Sequence, residues 1–224
     1  TMLGFLCHKM PREGGYTFVS DSVQATNAIL ATPFGQKLKD LGICYHRNLT
    51  DRREFVGVPE VGVYNHWQQS MMTEDPDEAI AEARKRGLDA EWGDNGLLKT
   101  RYTASAFEYF PQLDRNLLYS SMADDSAWFD TWPLVQHLPI SDRPLKLTFG
   151  DGSEMTYDEK QLFLDVYDDY GIPIEWEVGD VALICNYRFA HGRPAVHVKE
   201  GEERELGVLI GDAFDRLQTF DDKW

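Results

Sequence analysis

Two apolar runs with polar residues between them dominate the C-terminal quarter of the sequence. The first, Val181–Cys185, is bounded by turn residues on both sides, a pattern typical of a strand buried on both faces. An acidic turn at 200–203 precedes a second predicted strand, which runs from Arg204 to Ile210. Since His191 lies after the first strand and Arg204 opens the second, we expect the two side chains on adjacent antiparallel strands.

These two residue types suit a metal site that also binds an anion. A neutral imidazole is a ligand for borderline divalent metals, and a fixed guanidinium holds a carboxylate through two parallel hydrogen bonds. The residues alone leave other interpretations open. A single His near a strand end more often has a structural role. Arg204 is flanked by glutamates, so it could equally form ion pairs with them at the surface.

The stretch from Gly179 to Arg193, Gly-Asp-Val-Ala-Leu-Ile-Cys-Asn-Tyr-Arg-Phe-Ala-His-Gly-Arg, followed by Arg204, resembles a known signature. It is similar to the C-terminal motif of the taurine dioxygenase-like (TauD/TfdA) oxygenases, which use Fe(II) and 2-oxoglutarate, and most of all to their clavaminate-synthase-like subgroup. The resemblance implies that His191 is an iron ligand and a catalytic residue. It also implies that Arg204 binds the distal carboxylate of 2-oxoglutarate.

A second match lies near the start of the chain, at Gly14-Gly15-Tyr16-Thr17. By itself this segment predicts only a glycine turn that leads into a short strand. The resembled family carries Gly-Gly-x-Thr here, and its threonine hydroxyl shares the 2-oxoglutarate carboxylate with the Arg. The resemblance therefore assigns Thr17 to the co-substrate site beside Arg204.

The family pattern implies a dioxygenase that hydroxylates an unidentified small molecule while 2-oxoglutarate is decarboxylated to succinate. Taurine-type members carry a second Arg that holds a sulfonate, and Val208 occupies that position here. We therefore expect a substrate that is not a sulfonate. Ser120 and Trp128, the latter in an irregular aromatic and acidic segment, are the candidate substrate contacts.

The family's remaining iron ligands form a His-x-Asp or His-x-Glu pair, and no His in this chain is followed two residues later by Asp or Glu. In the resembled family that pair precedes the matched threonine by a distance that falls before Thr1. Two explanations are open: a trimmed oxygenase, or a natural short relative that does not hold iron in the usual way. The alternative function is a non-catalytic jelly-roll binding protein that has lost the iron site. A cupin-like isomerase or hydrolase with other metal ligands is a third reading.

Short strands, glycine and proline turns and a few capped helices predict a mainly β fold with peripheral helices. The clearest helix signal begins at Thr156, with Glu159 as the partner in a capping box. The resemblance sharpens the fold to a double-stranded β-helix, or jelly roll, lacking its N-terminal part. We expect one domain over residues 1–224, with a helical and loop insertion at about 51–140.

The formal net charge of -16 and the isoelectric point near 4.7 argue against nucleic-acid or membrane partners, which select basic surfaces. A small-molecule substrate fits the composition better. A homo-oligomer is compatible with the sequence, which leaves the oligomeric state open. The three cysteines are widely spaced and fit reduced packing residues, which favours a cytoplasmic location.

Overall fold

The computed structural model describes residues 2–54, 65–120, 138–193, 199–211 and 217–224. These residues form twelve strands and five α-helices, and every pair of named strands is antiparallel. The strands are β1 Met2–Lys9, β2 Thr17–Asp21, β3 Ile43–Leu49, β4 Asp89–Trp92, β5 Leu98–Ala104, β6 Phe107–Phe110, β7 Arg115–Leu118, β8 Leu145–Phe149, β9 Gly171–Ile174, β10 Val181–Cys185, β11 Phe189–Gly192 and β12 Glu205–Ile210. The helices are α1 Ser22–Leu30, α2 Pro33–Leu41, α3 Trp67–Met71, α4 Pro76–Lys85 and α5 Tyr157–Asp169.

Contacts along the chain divide it into two compact units. The first comprises Thr1–Gln36, Ala106–Ser120 and Leu162–Trp224, and the second comprises Lys37–Ser105 and Ser121–Gln161. The expectation of one domain with an insertion at about 51–140 stays a prediction.

Two three-stranded sheets build the first unit. One has the order β10-β1-β12 and the other β11-β2-β9. Side chains alternate between the faces of a strand, so one face of each sheet can be apolar. The inner faces meet in a cluster whose buried members are Leu3, Phe5, Cys7, Trp176 and Ile184, with Val19, Ile174 and Phe189 packed against it from the second sheet. This cluster is the core that positions the candidate site.

The outer face of the first sheet contradicts one expectation. Val181 and Leu183 of β10 are 66% and 71% exposed, so this strand is buried on one face only. The strand is an edge of its sheet, and its continuous apolar run reflects an uncovered outer face rather than a second buried one. The opposite edge strand, β12, exposes three successive residues, Val208, Leu209 and Ile210, which point to both faces.

The remaining strands of the first unit, β6 and β7, form a hairpin that holds the end of the chain. Asn116 donates from its side-chain amide to the Phe220 carbonyl at 2.6 Å and accepts from the Phe220 N–H at 3.1 Å. The aromatic rings of Phe107 and Trp224 meet edge to face, with their centroids 5.2 Å apart. The C-terminal residues therefore belong to the packed structure.

The second unit is built on a four-stranded sheet with the order β4-β5-β3-β8. An apolar cluster packs this sheet against helices α3 and α4. Its buried members are Leu49, Trp67, Met71, Ala79, Ala83 and Leu98. Asp75 caps α4 by accepting from two backbone N–H groups, and Pro76 follows at the first helical position. Nearby, Asp51 is buried and accepts hydrogen bonds from Arg53 and Gln68, which hold its carboxyl pKa well below its usual range.

The predicted capping box at the start of α5 is confirmed. The Thr156 hydroxyl accepts from the Glu159 N–H at 3.2 Å, and the Glu159 carboxylate accepts from the Thr156 N–H at 2.7 Å. Within the described ranges, no helix is both long enough and apolar enough to cross a membrane.

Candidate functional site

The site begins at the turn that leads into β2. Gly14 and Gly15 both have positive φ angles, +73° and +78°, which glycine adopts without strain. This turn brings Thr17, the first residue of β2, onto the inner face of its sheet, where it is only 4% exposed. At the far end of β2, Asp21 caps α1 by accepting from two backbone N–H groups. The strand is thus fixed at both ends.

Arg204 reaches the same place from the other sheet. It directly precedes β12 and is half-buried. Its Nε donates to the Gly15 carbonyl oxygen at 2.8 Å, and its Nη2 donates to the Thr17 hydroxyl at 3.4 Å. The predicted pairing of Thr17 with Arg204 is present in the structure, and the glycine turn supplies the carbonyl that orients the guanidinium.

The described residues compensate little of the positive charge of Arg204. Burial and the neighbouring Arg193 guanidinium lower the pKa of Arg204, although a guanidinium stays protonated at neutral pH. No carboxylate is among the described residues that contact it. A half-buried cation with hydrogen-bond donors to spare is a site for an anion, and its planar shape suits a carboxylate.

His191 lies on the sheet that carries Thr17. It pairs with Val19, and since Thr17 is two residues from Val19, the side chains of His191 and Thr17 share a face of the sheet. The His191 ring meets the Phe5 ring edge to face, with centroids 5.5 Å apart, and the residue is exposed. The expectation that His191 and Arg204 lie on adjacent strands is wrong, because β11 pairs with β2 and β12 pairs with β1.

A family model described as "Taurine catabolism dioxygenase TauD, TfdA family" matches residues 1–209. The chain belongs to this family. Membership confirms both the resemblance drawn from the two motifs and the predicted mainly β, jelly-roll fold class.

Individual relatives in the TauD/TfdA family are distant. A clavaminate synthase-like protein of Arabidopsis thaliana is 27% identical over 195 residues, which cover 85% of this chain and 56% of the relative. The dapdiamide synthesis protein DdaC of Enterobacter agglomerans is 24% identical over 217 residues, covering 94% and 61%. Among solved structures, AAD-2 in complex with Mn(II) and N-oxalylglycine has a TM-score of 0.43 at 14% identity, covering 92% and 61%. The chain thus spans about three-fifths of the length of these relatives.

The TauD/TfdA chemistry requires an iron site, and the described residues do not build one by themselves. A non-haem Fe(II) site needs two imidazoles and a carboxylate on one face. In the part of the chain that the structure describes, no three His, Cys, Asp or Glu side chains gather closely enough to hold a metal ion. His191 stays a predicted iron ligand, and the described residues do not complete its set.

Of the two predicted substrate contacts, Ser120 is the one that the structure describes. Ser120 is half-buried and follows β7, next to Tyr119, whose hydroxyl accepts from the Asn186 amide at 3.3 Å. Trp128 lies outside the described residues. The role of both residues at the substrate stays a prediction.

Two parts of the site were not predicted from sequence. The Gly15 carbonyl is a backbone group, which a motif of side chains does not reveal. Trp176 donates from its Nε1 to the Thr17 hydroxyl at 3.0 Å and is itself buried. Trp176 lies just before Gly179, where the C-terminal motif begins, but only the fold shows which residue it contacts.

Proposed function

We propose that this chain carries the 2-oxoglutarate-binding part of an Fe(II)- and 2-oxoglutarate-dependent dioxygenase that acts on a small molecule other than a sulfonate. Membership of the TauD/TfdA family supports the reaction class. The single observation that carries the proposal is the position of Arg204. Its guanidinium donates to Gly15 and Thr17, and within the described part of the chain it has donors left for a carboxylate.

The contacts give each residue of the proposed carboxylate site a separate role. Gly15 holds the Nε side of the guanidinium, so the Nη groups face the place where the distal carboxylate of 2-oxoglutarate would bind. Thr17 adds a neutral hydroxyl, and Arg193 adds a second positive charge nearby. These residues orient the co-substrate, which is the physical contribution a protein makes to a cofactor reaction.

Iron would supply the oxygen chemistry in the complete reaction. The described residues contribute one candidate ligand, His191, and do not fit a whole iron site. We therefore confine the proposed role of this chain to binding and orienting 2-oxoglutarate.

Replacing Arg204 by Ala tests the proposal. Titration of the 224-residue chain with 2-oxoglutarate, followed by ligand-detected NMR, should show binding that weakens at least tenfold in Arg204→Ala, because a charge-assisted pair contributes about 1.5–3 kcal/mol. Arg12→Ala is the matched control, since the Arg12 side chain is 93% exposed in the same unit. Equal affinities for the wild type and Arg204→Ala would remove the carboxylate role from Arg204.

A second candidate function, a jelly-roll protein that binds dicarboxylates without catalysis, is favoured by the missing ligand set among the described residues. The two functions differ in one measurement. The measurement uses the product of the complete source gene, because the described residues of this chain do not fit a whole iron site. Succinate release from 2-oxoglutarate with Fe(II) added identifies the oxygenase, and binding of 2-oxoglutarate without succinate release identifies the binding protein.

A further inference from the structure

The Thr17 hydroxyl receives two hydrogen bonds from groups that can only donate. Trp176 Nε1 donates to its oxygen at 3.0 Å and Arg204 Nη2 donates at 3.4 Å. An indole N–H and a guanidinium have no acceptor atoms, whereas a hydroxyl offers two acceptor lone pairs and one donor. Both acceptor positions of Thr17 are therefore filled.

The Thr17 hydroxyl proton is consequently available to donate to a ligand. Among the described residues none accepts a hydrogen bond from it, although the side chain is only 4% exposed. A buried O–H without an acceptor costs free energy, which a ligand with a lone pair would restore. Together with Arg204, the Thr17 hydroxyl thus presents donors only, and a ligand here has to supply acceptors.

Trp176 is held firmly enough to impose this arrangement. It is 8% exposed, belongs to the core cluster between the two sheets, and packs against Phe5 with ring centroids 6.4 Å apart. A packed indole has little freedom to turn away, so its N–H continuously occupies one lone pair of Thr17.

We infer that Trp176 is a positioning residue for the co-substrate carboxylate, because its indole N–H compels the Thr17 hydroxyl to donate toward the ligand. The inference rests on the proposed function and deepens it. Without the indole N–H, the Thr17 hydroxyl regains an open lone pair and can turn its proton elsewhere. The carboxylate then loses a prearranged donor while Arg204 keeps its place.

The test compares Trp176→Phe with wild type in the 2-oxoglutarate titration. Because one neutral hydrogen bond contributes about 1 kcal/mol, we expect the dissociation constant to rise roughly fivefold. The same substitution is then made in a Thr17→Val background, where no hydroxyl is left to orient. There Trp176→Phe should change the dissociation constant less than twofold, whereas a merely structural role would weaken binding equally in both backgrounds.

Trp67→Phe is the matched control for losing a buried indole. Trp67 is 1% exposed in the second unit, and its Nε1 has no hydrogen-bond partner among the described residues. It should leave 2-oxoglutarate binding unchanged. Thermal unfolding of each variant checks the fold. If Trp176→Phe does not fold, 3-benzothienylalanine at position 176 replaces the N–H by sulfur at nearly constant shape and should weaken binding to the same degree.

The outcomes separate this inference from the function it rests on. If Arg204→Ala loses binding and the folded Trp176 variants bind like wild type, the positioning role is wrong and the proposed function stands. An equal effect of Trp176→Phe with and without the Thr17 hydroxyl likewise overturns the positioning role. If Arg204→Ala binds like wild type, the carboxylate site itself is refuted.

Discussion

The glycine pair before Thr17 offers a sharp test of how the turn shapes the site. Gly14 and Gly15 have similar positive φ angles, so an alanine at either position adopts an unfavourable backbone conformation. That conformation costs about 1–2 kcal/mol for a residue with a Cβ. The two glycines differ in the space around them.

A Cβ on Gly14 would meet no atom within 4 Å. A Cβ on Gly15 would lie 2.7 Å from the Met10 sulfur and 3.1 Å from the Pro11 ring. The Met10 side chain can give way, but the proline ring is rigid, so we add about 1–3 kcal/mol for overpacking. Gly15→Ala should therefore lower the free energy of unfolding by about 2–5 kcal/mol, and Gly14→Ala by about 1–2 kcal/mol.

The clash of an alanine at position 15 should displace the backbone there, so Gly15→Ala should weaken ligand binding and Gly14→Ala should not. The Gly15 carbonyl accepts from Arg204 Nε at 2.8 Å, and moving it releases the guanidinium from its orientation. A hydrogen bond to a charged group contributes about 1.5–3 kcal/mol, so 2-oxoglutarate binding by Gly15→Ala should fall roughly tenfold or more. Gly14→Ala should bind within about twofold of wild type.

Urea unfolding gives the stabilities, and the NMR titration used for the Arg204 variants gives the affinities. The two alanine variants serve as each other's control, because they share the backbone cost. Identical losses of stability and of binding at both positions would refute the view that the Gly15 carbonyl orients the site.

Two further predictions concern the supports around the site. Asp21, which pairs with Arg188 through both carboxylate oxygens, has its pKa held well below the usual range, first of all by Arg188. The contribution of Asp21 to the free energy of unfolding is therefore present above about pH 4 and is lost as the pH falls toward the folded pKa. Asp21→Asn should lower the free energy of unfolding by about 2 kcal/mol at pH 7, and should reduce its fall with decreasing pH when urea unfolding is measured at several pH values. An unchanged fall at acid pH would show that Asp21 does not contribute to it. Asn116→Ala removes both side-chain hydrogen bonds to Phe220 and should lower the free energy of unfolding by about 2 kcal/mol. Amide hydrogen exchange in residues 217–224 should become faster, and unaltered exchange there would contradict their attachment through Asn116.

Local signals explain why the start of α5 could be predicted. The cap at Thr156 is recognised from a few neighbouring residues, and the structure places it at the start of this helix. Thr17 and Arg204 were found through motif similarity, because nothing within either segment indicates that residues so far apart in sequence would meet.

The missed features depend on contacts between distant segments. Strand β9 could not be predicted from its own residues, because Gly171 and Pro173 are typical of a helix end or a turn rather than of a strand. It is an edge strand of its sheet, where a residue without an N–H is tolerated. Exposure of β10 was likewise hidden, since an apolar run does not show whether another layer covers it. Trp176 shows the same limit, because its partner lies on another strand.

The strand that follows Arg204 has a practical consequence for work in solution. β12 forms a border of its sheet, with Val208, Leu209 and Ile210 more than half exposed. Backbone N–H and C=O groups along such an edge can form hydrogen bonds with a strand of another molecule, and apolar side chains on both faces strengthen that association. Concentrated samples will therefore tend to precipitate despite the chain's strong negative charge, so affinity measurements belong at low protein concentration.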